Sequence, residues 1–270
     1  MITGQKRRVV TPSYAQTELI HVIRRCGLTS GLKLCLDAGD AASYGSGQSW
    51  LDTSGNGYDF FRGLDGSAAA DDPTFNGTAG QRSTGEYWSF DGADFFRYDA
   101  VNEAWMNNIH KDNAKFTLFA WLYLSLGTAQ AIAGTETGTV EVGFDWFVTG
   151  TSKLYFDITK GSGGTALETQ TTLVLSGSIW SLCAVSLDES VGANGMIHYM
   201  NGLAELFSST YTTPSAANAT HTMEIGARGN GSIPISNTGR LGMFAAWEGV
   251  ALTVPQLNAL YMGTRGRFGV

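Results

Sequence analysis

The chain has 270 residues, of which 43% are hydrophobic and only 15% charged, against roughly 25% charged in an average globular domain. With 35 glycines and 5 prolines, this composition is too apolar for a disordered chain and suits many short strands joined by turns. A net charge of -7 excludes a general nucleic-acid binder, which needs clustered lysine and arginine to neutralise phosphates.

The charge is split along the chain. Residues 1–30 carry +4, from Lys6, Arg7, Arg8, Arg24 and Arg25 against Glu18, and the remainder carries -11. A basic arm on an acidic body predicts that the arm touches something the body does not. The opening residues are polar and basic with no apolar run behind them, so no secretory signal is expected and synthesis in a cytoplasm is. No stretch approaches the length and apolarity of a membrane span. The three cysteines, Cys26, Cys35 and Cys183, form no C-x-x-C pair and no disulfide framework.

Tyr14 to Cys26 reads as a short helix, with Leu19, Ile20, Val22 and Ile23 on one side and Gly27 as its stop. Such a helix cannot stand alone in water, so the body or a partner must cover its stripe. From residue 31 the pattern changes to period two. GLKLCLDA (31–38) places Leu32, Leu34 and Leu36 on one face and Lys33 and Cys35 on the other. A Gly/Ser/Asp-rich region, Gly39 to Gly85, is far longer than an ordinary connection and predicts local turns or a functional loop. Strand-like runs then follow in quick succession from YWSF (87–90) to GRLGMFAAW (239–247). FTLFAWLYLSL (116–126) is apolar on both faces, so both must be covered. In KLYFDIT, Leu154, Phe156 and Ile158 point one way while Tyr155, Asp157 and Thr159 point the other. Asn201-Gly202 between two strand patterns predicts a type I′ hairpin. Thr253 and Pro255 open a closing helix over 250–261. The reading is one all-β domain, residues 31–270, preceded by a basic arm and short helix over residues 1–30.

LDAGDAASYGSGQSWLDTSGNGYDF (36–60) resembles the opening of the laminin-G-like, concanavalin A-like jelly-roll domains of bacteriophage structural proteins. The resemblance continues in order through YWSFDGADFFRY (87–98), FTLFAWLYL (116–124), IWSLCAVSLD (179–188), GMIHYMNGLAE (195–205), MEIGARGNG (223–231) and GRLGMFAAWEGVALTVPQLNALY (239–261). It implies an antiparallel jelly-roll β-sandwich, with Trp50, Trp88, Trp121 and Trp180 filling the space between two sheets. It also implies a non-enzymatic structural protein on a virion surface, as a tail fibre, tail accessory or head decoration. The N-terminal arm would anchor it to other virion proteins, the jelly roll would meet host-surface glycans, and the subunit would be a homo-oligomer. A free-standing lectin module is the alternative, and a polysaccharide hydrolase a further one.

Glucanases on this fold use a Glu-x-Asp-x-Glu strand. The nearest string here, EVGFD (141–145), has Gly143 where the middle acid belongs and places Glu141 and Asp145 about 13 Å apart on a strand. None of His21, His110, His198 and His221 adjoins a nucleophile elbow, and His198 reads as a surface or cross-strand residue. No catalytic residue is therefore expected. DTSGNG (52–57) matches the first half of a calcium loop, with Asp52, Ser54 and Asn56 as oxygen ligands to a possible structural Ca2+ and Asp37, Asp59 or Asp91 as alternatives. The same residues equally suit an Asx-turn loop that caps its own backbone. Tyr44, Tyr58, Trp105 and Asn107 are glycan-binding candidates that nothing in the sequence ranks.

Overall fold

A computed structural model describes residues 18–138, 140–162 and 164–270. Lys6, Arg7, Arg8 and the first part of the expected helix, residues 14–17, lie outside the described residues. The chain opens with α1 (Leu19–Arg25), β1 (Leu32–Asp37), β2 (Ser49–Trp50), β3 (Phe60–Arg62), β4 (Thr74–Asn76), β5 (Tyr87–Ser89), β6 (Phe96–Arg97) and α2 (Ala104–Asn108). It continues with β7 (Lys115–Tyr123), β8 (Gln130–Gly134), β9 (Val142–Val148), β10 (Lys153–Lys160), β11 (Thr165–Val174) and β12 (Trp180–Asp188). It closes with β13 (Met196–Met200), β14 (Leu203–Phe207), β15 (Glu224–Ile225), β16 (Arg240–Glu248) and α3 (Val254–Phe268).

The strands form two antiparallel sheets. The first runs β14-β13-β12-β7-β16-β5-β4, with β1 also on β16, and the second runs β11-β10-β9-β8-β15-β6-β3-β2. Strand alternation builds two apolar layers from the first sheet. In β7, Phe116, Leu118, Ala120 and Leu122 enter the core between the sheets, while Phe119 and Trp121 enter an outer core with α1 and α3. β12 divides in the same way, Cys183, Val185 and Leu187 inward and Leu182 and Ala184 outward. The strand predicted to need cover on both faces thus has it, from the second sheet on one side and from helices on the other.

The structure corrects several expectations. Leu32 does not share a face with Leu34 and Leu36. A register shift between Leu32 and Leu34 turns Leu32 into the outer core beside Cys35. Trp121 and Trp180 also lie in the outer core, whereas Trp50 and Trp88 do sit between the sheets. α3 does not stop near 261. Gly263 lets it cross α1, because a Cβ there would meet Val22 Cγ1 at 2.5 Å, and the helix runs on to a left-handed cap at Gly269. His198 does lie cross-strand, between Val185 and Glu205, but not at the surface: it is 1% exposed, with Nε2 at 2.9 Å from Thr169 Oγ1, and burial pushes its ring down to about 3. It is therefore neutral and unfit to act as a base at the surface. β2 to β4 occupy the long Gly/Ser/Asp region, and Asn201 and Gly202, at φ 49° and 96°, make the expected hairpin between β13 and β14.

The expected boundary between residues 30 and 31 falls inside a packed unit. Leu19, Val22 and Ile23 of α1 are fully buried in the outer core, and the Leu28 carbonyl accepts a hydrogen bond from Trp247 Nε1 at 2.7 Å. α1 is a layer of the sandwich. Arg24 and Arg25, in its last turn, are exposed.

Candidate functional site

Sealing of the first sheet by α1 and α3 leaves the outer face of the second sheet as the broad strand surface open to a ligand among the described residues. Period-two alternation chooses what this face presents. β9 sends Phe144, Trp146 and Val148 into the core and β10 sends Leu154, Phe156 and Ile158, so Asp145, Phe147, Tyr155 and Asp157 face outward. The registers align them in rows. One row reads Phe147, Tyr155, Gln170; the next reads Glu224, Gly134, Asp145, Asp157, Glu168 across five neighbouring strands. Phe147 and Tyr155 are half-buried, with ring centroids 4.5 Å apart, and Gln170 and Glu168 are exposed.

The loop over residues 226–232 folds onto the acidic row. Gly134 makes room for it, since a Cβ there would meet Arg228 Cβ at 2.8 Å. Arg228 Nη1 reaches Asp145 Oδ2 at 2.7 Å and Glu136 Oε1 at 3.0 Å, and Gly231 N donates to Glu224 Oε2 at 2.8 Å. His221 Nε2 and Glu141 Oε1 pair at 3.1 Å beside this loop. Burial raises the carboxyls of both Asp145 and Asp157; at Asp157 the facing charge of Asp145 raises it further. Burial also pushes Glu224 up to about 7, and burial together with the Glu168 carboxylate raises the Tyr155 phenol, which stays a neutral donor. Asp145 therefore meets Asp157 across the strands, a juxtaposition that spacing along one strand does not reveal. Glu141 precedes β9 and donates nothing to that row.

The calcium-loop residues are committed elsewhere. Both oxygens of Asp52 accept hydrogen bonds, from Cys35 N, Ser54 N, Ser54 Oγ, Gly57 N and Tyr58 N at 2.6–3.2 Å. The single Ser54 hydroxyl proton is shared between Asp52 Oδ2 and Lys33 O, and Asn56 Nδ2 donates to Leu32 O and Lys33 O. The loop is an Asx-turn clasp that ties residues 52–58 to β1, and its carboxylate faces N–H donors where a cation would need free lone pairs. Asp37 is spent on Arg267, and Asp59 Oδ1 accepts from Asp52 N. Of the glycan candidates, Tyr44, Trp105 and Asn107 are buried and Tyr58 packs on the core, so none forms a binding rim.

A concavity of about 400 Å³ lies at the sheet edge and is lined by Asp72, Thr74, Ser89, Asp91 and Asp94 among others. Burial first, then the charges of Asp91 and Asp71, pushes the Asp94 carboxyl up to about 7. A carboxyl raised in the folded state contributes stability that is full below its unfolded value near 4 and is lost as pH rises through 7. Asp94→Asn is thus expected to match the parent protein at pH 4 and to exceed it by on the order of 2 kcal/mol at pH 8. Denaturant midpoints at the two pH values check this, and an equal difference at both would contradict it.

No family model matches the chain, and no curated protein matches it. Solved structures do. The binding domain of botulinum neurotoxin serotype D is similar with a TM-score of 0.60 at 12% identity, over 87% of this chain and 51% of that one. Domain 4 of AbnA, an extracellular GH43 arabinanase from Geobacillus stearothermophilus, solved with arabinotriose, is similar with a TM-score of 0.55 at 18% identity, over 86% of this chain and 98% of that one. Trypanosoma rangeli sialidase, solved with sialic acid, gives a TM-score of 0.56 at 12% identity over 87% of this chain and 33% of that one. The fold is a jelly-roll β-sandwich. The chain spans about half of the neurotoxin binding domain and about a third of the sialidase.

Proposed function

We propose that the protein is a non-enzymatic adhesion module that binds glycans through the open face of its second sheet. The observation that carries this reading is the pairing of an aromatic row, Phe147 and Tyr155, with exposed Gln170 and Glu168 on the sheet face that no helix covers among the described residues. A sugar ring offers an apolar C–H face and a rim of hydroxyls. Ring faces take the first, and amide and carboxylate oxygens accept from the second. The arabinotriose complex of a fold neighbour matched over 98% of its length supports the same reading. Its non-enzymatic side is supported by the missing Glu-x-Asp-x-Glu string and by the depth of the carboxylates, Asp145 being fully buried.

Within this reading the module is a repeated subunit displayed on a phage particle and held there by its basic residues. The order of the phage-type motifs supports that setting, as do the charge split and the exposure of Arg24 and Arg25.

The test is a glycan array probed with the full chain. Phe147→Ala and Tyr155→Ala are each expected to weaken binding to the retained glycans at least about tenfold, the scale of an aromatic anchor, with cooperative unfolding preserved. An array without a retained glycan, or binding untouched by both substitutions, would refute the assignment.

A further inference from the structure

We infer that Glu136, Asp145 and Asp157 form a binding site for a divalent cation of the calcium type, on the outer face of the second sheet and independent of the glycan reading. One carboxylate oxygen from each of the three lies within 4.8 Å of the others. Ca2+ binds oxygens at about 2.3–2.6 Å in flexible geometry, so oxygens within 4.8 Å of one another can share it, whereas Mg2+ demands near-ideal octahedral ligands, a poor match to carboxylates already held by Arg228 and Gly138.

Two further observations point to a ligand. The first is unpaired oxygen. Asp145 is 0% exposed and Asp157 7%, yet Asp145 Oδ1 and Asp157 Oδ1 have no hydrogen-bond partner. Native interiors rarely leave such atoms bare, because an unmade hydrogen bond to a carboxylate is costly. The second is charge. Three carboxylates share a nearly dry site with a single guanidinium. Arg228 uses Nη1 on Glu136 and on Asp145 Oδ2, and makes no ion pair with Asp157. Ionised, the three carboxylates exceed the one guanidinium by two negative charges, the number a divalent ion neutralises. Oδ1 of Asp145 and Oδ1 of Asp157 carry no donor, and each Glu136 oxygen carries only one, Arg228 Nη1 on Oε1 and Gly138 N at 2.6 Å on Oε2, so all three carboxylates keep a lone pair for a metal. Water carried in with the ion would complete the coordination.

The fold assembles this site from three separate places. Asp145 and Asp157 are register partners on β9 and β10, and Glu136 follows β8. It is distinct from the Asp52–Asn56 loop, whose carboxylate is saturated by N–H donors.

Calcium, magnesium and manganese chlorides titrated into the full chain after chelator treatment, followed by calorimetry and thermal unfolding, test the proposal. The expected result is one saturable calcium site with a Kd at or below about 1 mM. At a hundredfold excess over Kd, Tm rises by roughly 5 °C or more. Asp157→Asn and Glu136→Gln each weaken calcium binding at least tenfold, and Asp52→Asn leaves it unchanged. No saturable calcium binding overturns the proposal. So do retention of binding in both cluster variants, loss of binding in the Asp52 variant alone, and a preference for magnesium.

Discussion

Replacing Arg267 with leucine is expected to destabilise the protein by about 3–5 kcal/mol, because it strands a fully buried carboxylate. Arg267 is 3% exposed and Asp37 0%. The guanidinium pairs with Asp37 through Nη1, donates to Glu86 O through Nη2 at 3.0 Å and to Ser83 O through Nε at 3.3 Å. Asp37 in turn accepts from Leu19 N at 2.9 Å and Gly39 N at 2.8 Å. One ion pair therefore ties the end of α3 to the end of β1, the start of α1 and the turn before β5. Gly39 is part of the arrangement, since a Cβ there would meet Arg267 Cζ at 2.5 Å. Equilibrium denaturation measures the loss. Asp37→Asn should cost a comparable amount, and the double variant less than the sum, because the second removal leaves no stranded charge. A single Arg267 variant within about 1 kcal/mol of the parent, the level of an exposed pair, would show that the pair is not structural.

Removing residues 1–28 is expected to leave the remainder unable to fold cooperatively. The deletion takes away Leu19, Ile20, Val22 and Ile23, all buried, together with the Leu28 carbonyl that Trp247 Nε1 requires. At about 1.5–3 kcal/mol per large apolar side chain, the burial lost is comparable to the whole stability of an ordinary domain, about 5–15 kcal/mol. It also uncovers the parts of β1 and α3 on which α1 packs. Loss of the cooperative thermal transition and binding of a hydrophobic dye are the expected readouts, and a soluble, cooperatively melting truncation would contradict this account. The proposed anchoring role is therefore better tested by charge reversal at Lys6, Arg7, Arg8, Arg24 and Arg25. The latter two side chains are exposed and support no packing.

Much of the sandwich was legible because its signals are local. KLYFDIT alternates cleanly, so its inward Leu154, Phe156 and Ile158 and outward Tyr155, Asp157 and Thr159 were assigned correctly from period two alone. The doubly apolar run of β7 announced cover on both faces. Asn201-Gly202 announced its hairpin, and Thr253 with Pro255 the start of α3. β1 misled because a one-residue register shift moves Leu32 to the other face, and nothing in the residues of a bulge marks its position. The extension of α3 through Gly263 and Gly266 was hidden for a related reason. Glycine lowers helix propensity locally, and at Gly263 only the crossing with Val22 explains it.

The opening composition, low in charge and rich in glycine and apolar residues, determined the all-β class and the split between a basic start and an acidic body. Strand alternation determined which side chains each strand offers to each face. Which strands become neighbours was decided only in three dimensions, because pairing joins residues far apart in sequence through backbone hydrogen bonds that carry no side-chain signature. That pairing sets Asp145 opposite Asp157, lays Arg228 over Gly134, lines Phe147 up with Tyr155, and joins Arg267 to Asp37 across almost the whole chain. The sequence held the candidate chemistry as scattered acids and rings, and the register of β8 to β11 brought it to one face.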